Sequence, residues 1–227
     1  MRFLRTVGLP FCLLMHSTLA LAHGQATSPV ATPGAASSRI VRFAAEDWPP
    51  FISHSLPADG MSGAMVSAVF ERMGYVVKYE YFPWKRTMQF GLSSPRYAGF
   101  LAVWRTPERE KLCHFSVPVG NTHSVLAYLK EDGAPGATLA ELGKLRIGTV
   151  AGYSNGEQFD GMVARGELKT EEGLNDATNL KKLLIRRYRV IVIERHVLQH
   201  LLMGRNFSKA ERERIAIVDT IFKERPV

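Results

Sequence analysis

Between Ile40 and Val103 the chain switches repeatedly between alternating and helical periodicity, and no other feature restricts its fold so strongly. Residues 40–45 alternate, which predicts a half-buried strand. Residues 61–73 place Met65, Val69 and Met73, with Ala64 and Ala68, at helix spacing and end at Gly74, a helix-stop signal. Residues 76–82 alternate again, 84–92 read as a helix, and 97–103 read as a strand whose apolar run extends to Trp104. This β-α-β-α-β order predicts a mainly parallel, three-layer α/β unit.

The pattern restarts after a break. Residues 124–129 form a short apolar strand, 139–142 a short helix and 145–150 a strand. Residues 155–165 and 175–187 read as helices, and 190–193 as a continuous apolar strand of the buried parallel type. Residues 195–203 are helical and 215–221 form a last strand. Two α/β lobes joined by an extended crossover are the economical reading.

The N-terminus sets the expected compartment. Residues 1–6 carry Arg2 and Arg5 and no acid, residues 7–21 are mostly apolar, and Ala20-Leu21-Ala22 fits a small-residue cleavage site. This predicts a secretory signal peptide over residues 1–22, too short and wrongly flanked for a membrane anchor. Residues 23–38, rich in Ala, Ser, Thr, Pro and Gly, read as a flexible leader. Cys113 is then the only cysteine of the exported chain, which excludes an intrachain disulfide and fits a bacterial periplasm. No later apolar run reaches membrane-spanning length, so the product after signal removal is not expected to span a membrane. The formal charge of +8 comes from scattered Lys and Arg without aromatic-basic repeats, which argues against a nucleic-acid partner.

Ligands of α/β folds sit at the carboxyl ends of strands, often between domains. Those ends carry Glu46-Asp47-Trp48-Pro49-Pro50-Phe51, then Pro83-Trp84-Lys85-Arg86, then Trp104-Arg105-Thr106. Thr106-Pro107-Glu108 has the Thr cap, first-turn Pro and first-turn acid of a helix start, so Arg109 projects from that turn as a fork suited to a carboxylate. In the second half Gly152-Tyr153-Ser154 opens a helix and Glu194 ends the apolar strand. The set matches a zwitterion. Arg109 and the Ser154 helix end would take a carboxylate, Glu194 an ammonium, and the aromatic faces of Trp48, Trp84, Trp104 and Tyr153 the remainder. His196 and His200 stand at zinc-binding spacing, but no Cys or carboxylate completes a tetrahedral set nearby, so no metal is expected. The glycines of residues 148–156 lack the following Lys-Ser/Thr of a phosphate loop, and no motif names a base for Ser154. No cofactor is expected.

Four stretches together resemble the bacterial extracellular solute-binding proteins of family 3. They are EDWPPF at 46–51, LAVWRTPEREKLCHFS at 101–116, RIGTVAGYS at 146–154 and VIVIE at 190–194. The resemblance runs over residues 40–221. It implies the two-lobed type II periplasmic binding protein fold, which closes on a ligand like jaws. Lobe 1 would occupy residues 39–123, a hinge strand 124–129, lobe 2 residues 130–222, and the start of a crossover back to lobe 1 residues 223–227. The family's return segment of roughly 30–40 residues would follow Val227, so the first lobe is expected to be truncated. The resemblance also implies an aromatic stack at Trp48, a carboxylate partner at Arg109 helped by backbone at Ser154, and an amino-group partner at Glu194. The function implied is capture of an amino acid or related small carboxylate for the membrane permease of an ABC importer, without catalysis. Exported dehydratases of cyclic carboxylates and periplasmic sensing domains on the same fold are the alternatives. The chain departs from the family at Tyr97-Ala98 and Arg189, where an Asp is common, and at Trp104, where small hydroxyl residues often stand.

Overall fold

The computed structural model describes residues 39–227; the expected signal peptide and leader lie outside the described residues. The first half is built from β1 (Arg39–Ala45), α1 (Gly60–Arg72), β2 (Tyr75–Tyr81), α2 (Trp84–Ser93), β3 (Gly99–Phe100) and the short α3 (Pro107–Glu110). β1 lies between β2 and β3, with all three strands parallel. The β1–β2 register runs from Arg39 opposite Tyr75 to Ala45 opposite Tyr81, so the two strands end together and Glu46 emerges at the carboxyl edge. Thr87 Oγ1 donates to Ala45 O at 2.9 Å and to Phe82 O at 3.0 Å, which fixes the start of α2 at that edge.

Two expectations for this half change. The strand expected over 97–103 reduces to Gly99–Phe100. Gly91 of α2 lies so close to Phe100 that a Cβ there would collide with the ring, and Ala102 takes a φ of 55°. The chain therefore leaves the sheet early, and Trp104 turns inward to 7 % exposure. The Met stripe that reveals α1 is also not its buried face, since Met61, Met65, Val69 and Met73 are all exposed. The helix packs through Ser62 and Gly63, because a side chain at Gly63 would strike Ile52.

The second half contains β4 (Asn121–Thr122), β5 (Ser124–Leu129), β6 (Arg146–Val150), α4 (Glu157–Ala164), β7 (Lys169–Gly173), α5 (Asp176–Leu184), β8 (Val190–Glu194), α6 (Arg195–Met203), α7 (Lys209–Glu213), β9 (Ile215–Val218) and β10 (Arg225–Pro226). Its sheet has the order β7-β6-β8-β5-β9; β7, β6 and β8 are parallel, and β5 runs antiparallel to both β8 and β9. The segment 124–129, expected as a hinge strand, is a full member of this sheet, with every side chain except Tyr128 buried. β10 pairs with β4 outside the main sheets.

Helices cover both faces of β8, which explains its unbroken apolar run. Ile191 and Ile193 join one core with Leu180, Leu183 and Tyr188, while Val190 and Val192 join another with Ile147 and Phe159. The first of these cores also contains Trp48, Phe51 and Trp104 from the first half, so the two halves share apolar packing.

Candidate functional site

The carboxyl edges of the two sheets face each other, and the predicted aromatic residues meet there. Trp48, Trp84, Ala102, Trp104 and Tyr153 line a cavity of about 10 Å³, room for about one water molecule. The rings meet edge to face, with centroids 5.9 Å apart for Trp48–Trp104, 5.8 Å for Trp84–Tyr153 and 5.9 Å for Trp104–Tyr153. Phe51 stacks behind Trp48 at 4.6 Å. Each indole is also anchored by its N–H. Trp48 donates to Asp176 Oδ2 at 3.2 Å, Trp84 to Gly152 O at 2.9 Å and Trp104 to Thr122 Oγ1 at 2.7 Å. Three indoles held at both ends make rigid walls.

Arg109 sits where the helix-start motif projects it. Thr106 caps α3 by accepting from Arg109 N at 3.3 Å. The guanidinium is 7 % exposed, donates to Trp104 O at 2.8 Å and, across to the other half, to Gly152 O at 3.2 Å, and lies 5.5 Å over the Trp84 ring. Its burial lowers its pKa, and no carboxylate lies within ion-pair distance of it among the described residues. A second cation, Arg225, lies 4.0 Å over Trp104 and donates to Ser154 O at 3.2 Å; burial lowers its pKa to about 10. Both guanidinia therefore hold carbonyls of one loop, residues 152–154.

The anionic residues are arranged differently from the expectation. Glu194 caps α6. Its oxygens accept from Val197 N at 2.8 Å and His123 N at 3.2 Å, and His196 Nδ1 lies 3.0 Å away. It does not line the aromatic cavity. Ser154 likewise turns its hydroxyl to Asp160 Oδ2 at 2.7 Å, and α4 starts only at Glu157. The carboxyl groups facing the aromatic cluster are Asp176, bonded to Trp48, and Glu46, which accepts from Tyr153 Oη at 2.6 Å. Asp176 follows the Asn175 cap at the start of α5, directly after β7. The strand-end rule would have found it, but the polar sequence Lys-Thr-Glu-Glu-Gly of β7 carries no strand signal.

Desolvation by burial raises Glu46 to a pKa of about 8 and Asp176 to about 7. In the unfolded chain both titrate in the ordinary carboxylate range. From about pH 5 to 8 the folded state thus holds protons that the unfolded chain has released, so folding stability falls as pH rises. The loss is several kcal/mol, at about 1.4 kcal/mol per pKa unit. Thermal melts should drop steadily from pH 5 to pH 8, and Glu46→Gln should remove about half of that slope, with Asp176 accounting for the rest. An unchanged slope in the variant would remove Glu46 as its cause.

A sequence model of the bacterial extracellular solute-binding proteins, family 3, matches residues 40–225. The chain belongs to this family. Among solved structures, this family 3 protein is similar to an ancestral arginine-binding protein bound to arginine, with a TM-score of 0.68 and 17 % identity over 82 % of this chain and 81 % of that one. It is also similar to a histidine kinase sensor domain with similarity to periplasmic binding proteins, with a TM-score of 0.70 and 15 % identity over 83 % and 80 % of the two chains. A third is the amino acid ABC transporter substrate-binding protein AbpA from Streptococcus pneumoniae bound to L-arginine, with a TM-score of 0.65 and 15 % identity over 82 % and 78 %. No curated protein sequence matches the chain. The fold is the two-lobed type II periplasmic binding protein fold, as expected. Among the described residues no helix is long and apolar enough to cross a membrane.

Proposed function

We propose that this family 3 protein captures an amino acid between its two lobes in the periplasm and presents it to the permease of an ABC importer. The observation that carries the reading is the charge arrangement of the cleft. Arg109, buried and with no carboxylate within ion-pair distance among the described residues, stands at the aromatic cluster, as do the buried carboxyls of Asp176 and Glu46, bonded to Trp48 and Tyr153. A zwitterion supplies the missing counter-charges to both. Arg109 takes the ligand carboxylate, and Trp48, Trp84, Trp104 and Tyr153 form the walls. Asp176 takes the ammonium, because the oxygens of Glu194 are engaged at the start of α6. A cavity of about 10 Å³ admits no amino acid, so the lobes must part for the ligand to enter, in the manner of hinged binding proteins.

A thermal melt of the purified protein against the common amino acids tests this. A ligand that prefers the native state raises the melting temperature, by an amount that grows with its concentration over Kd. The expected result is a saturable rise with one class of amino acid. No rise with any of them sinks the reading.

A second reading rests on Glu46. A carboxyl with a pKa of about 8, close to the loop that Arg109 holds, is neutral at pH 7, as a general acid for elimination from a cyclic hydroxy carboxylate must be. Formation of product from a prephenate-like substrate would favour that reading over simple binding.

A further inference from the structure

The strand-end motif Pro83-Trp84-Lys85-Arg86 has a lysine that the capture reading does not use. Trp84 lines the aromatic cavity and Lys85 does not. Lys85 Nζ crosses to the second lobe instead and donates to Glu172 Oε2, near the end of β7, at 2.8 Å. Glu172 Oε1 accepts from Gly152 N at 3.4 Å. Gly152 O in turn accepts two bonds from the first lobe, from Trp84 Nε1 at 2.9 Å and from Arg109 Nη2 at 3.2 Å. We propose that Gly152 and the Lys85–Glu172 pair form an interlobe clasp, which holds Trp84 and Arg109 against the second lobe and must release for the cleft to open. The clasp is made of the chain's own groups and is independent of which solute the cleft takes, so it goes beyond the capture reading above.

Three observations carry it. The first is convergence on one residue. Both backbone polar groups of Gly152 are engaged, the carbonyl by two donors of the first lobe and the N–H by the carboxylate that Lys85 holds. A carbonyl oxygen has two lone pairs, and Trp84 and Arg109 use both. The second is lack of room. Gly152 takes a φ of +80°, and a Cβ there would lie 3.0 Å from Lys85 Cγ and 3.3 Å from Trp84 Cδ1. Glycine permits both the conformation and the direct approach of the first lobe to this backbone. The third is charge. The side chains of Lys85 and Glu172 are 64 % and 52 % exposed, and such a pair adds little by itself. Here it acts beside two bonds to the residue that Glu172 also holds, so it biases lobes already in register. The Lys85 ammonium holds the Glu172 carboxyl below its ordinary range, so the pair stays charged at neutral pH. Bonds from Tyr153 to Glu46 and from Trp48 to Asp176 cross the cleft elsewhere, but they end on buried acids. The clasp carries exposed charges, which can be reversed without disturbing the core.

Hydrogen exchange of the Trp84 indole N–H tests the clasp. Followed by NMR in deuterated solvent on the purified protein, it reads how often the lobes part, because this proton exchanges when its bond to Gly152 O opens. Glu172→Lys sets two cations face to face and should speed the exchange by about three- to tenfold. The amides of β8, which exchange through global opening, should keep their rates. The charge swap of Lys85→Glu with Glu172→Lys should restore the wild-type rate at Trp84. Gly152→Ala should speed that exchange by at least about threefold, through the strain and the contacts that its Cβ introduces. If Gly152→Ala does not fold, Glu172→Lys still decides, since it alters an exposed side chain. An unchanged Trp84 rate in either folded variant, or a swapped variant that exchanges as fast as Glu172→Lys alone, would overturn the clasp. Either result leaves the capture reading intact, since no solute enters the measurement.

Discussion

Arg109→Ala should abolish most amino-acid binding, at a cost of about 2–5 kcal/mol, the range for truncating one partner of a buried charge pair. At about 1.4 kcal/mol per decade this is a loss of roughly 30-fold to several thousandfold in Kd. The geometry explains why the effect should be large. The side chain is 7 % exposed, and its two terminal nitrogens hold Trp104 O at 2.8 Å and Gly152 O at 3.2 Å. On the reading proposed above it binds the ligand carboxylate, and it also joins the lobe carrying Trp104 to the loop carrying Gly152. Alanine removes the cation and the donor to Trp104 O, while Gly152 O keeps the N–H of Trp84. Arg109→Lys keeps the charge but loses the planar fork, and should fall between the wild type and the alanine variant. Titration calorimetry on variants that retain a cooperative melt checks this. A loss below tenfold in folded Arg109→Ala would refute the carboxylate role.

Asp176→Asn should separate binding from stability, moving them in opposite directions. The carboxyl is 5 % exposed and buried against Trp48, and desolvation raises its pKa to about 7. At pH 8 the folded protein holds it charged in an apolar setting, whereas Asn keeps the bond from the Trp48 N–H without the charge. The ligand-free variant should thus melt higher than the wild type at pH 8, with a gain of about 2 kcal/mol or more. The gain should vanish near pH 4–5, because the wild-type group is then protonated in the folded state. Binding should weaken by about 10- to 100-fold, since Asn offers the ligand ammonium a dipole in place of a charge. The matching α-keto acid, which has no ammonium, should lose no affinity. A variant that binds amino acids as the wild type does would return the ammonium role to another group.

Glu194 and Asp176 show why the site was only partly legible in the sequence. Both follow a strand of the second lobe and both are acids, so strand-end reasoning treats them alike. Only Glu194 was found, because Val190–Ile193 is an unmistakable buried strand and Lys169–Gly173 is a polar edge strand without apolar alternation. The backbone then gives them different partners. α6 begins at Arg195, so its free N–H group at Val197, together with the backbone N–H of His123 just before β5, takes the Glu194 carboxylate. Asp176 lies one residue inside α5, where Asn175 already caps the helix, and its carboxyl is left for Trp48. Arg225 gave no signal at all. It lies 116 positions beyond Arg109 (225 − 109), and only the pairing of β10 with β4 brings it to Trp104 and Ser154.

By itself the sequence determined the α/β class, the order of most elements, the helix start that projects Arg109 and the aromatic residues that meet in the cleft. Each of these is written in a local signal, as periodicity, caps and strand ends act over a few neighbouring residues. Tertiary structure alone decided which of these groups face one another. The bond from Tyr153 to Glu46 spans 107 positions and that from Trp48 to Asp176 spans 128. The raised pKa values of both acids follow from burial that exists only when the lobes meet. Charge and polarity can be read residue by residue, but desolvation depends on everything packed around a group, and that is set by the whole fold.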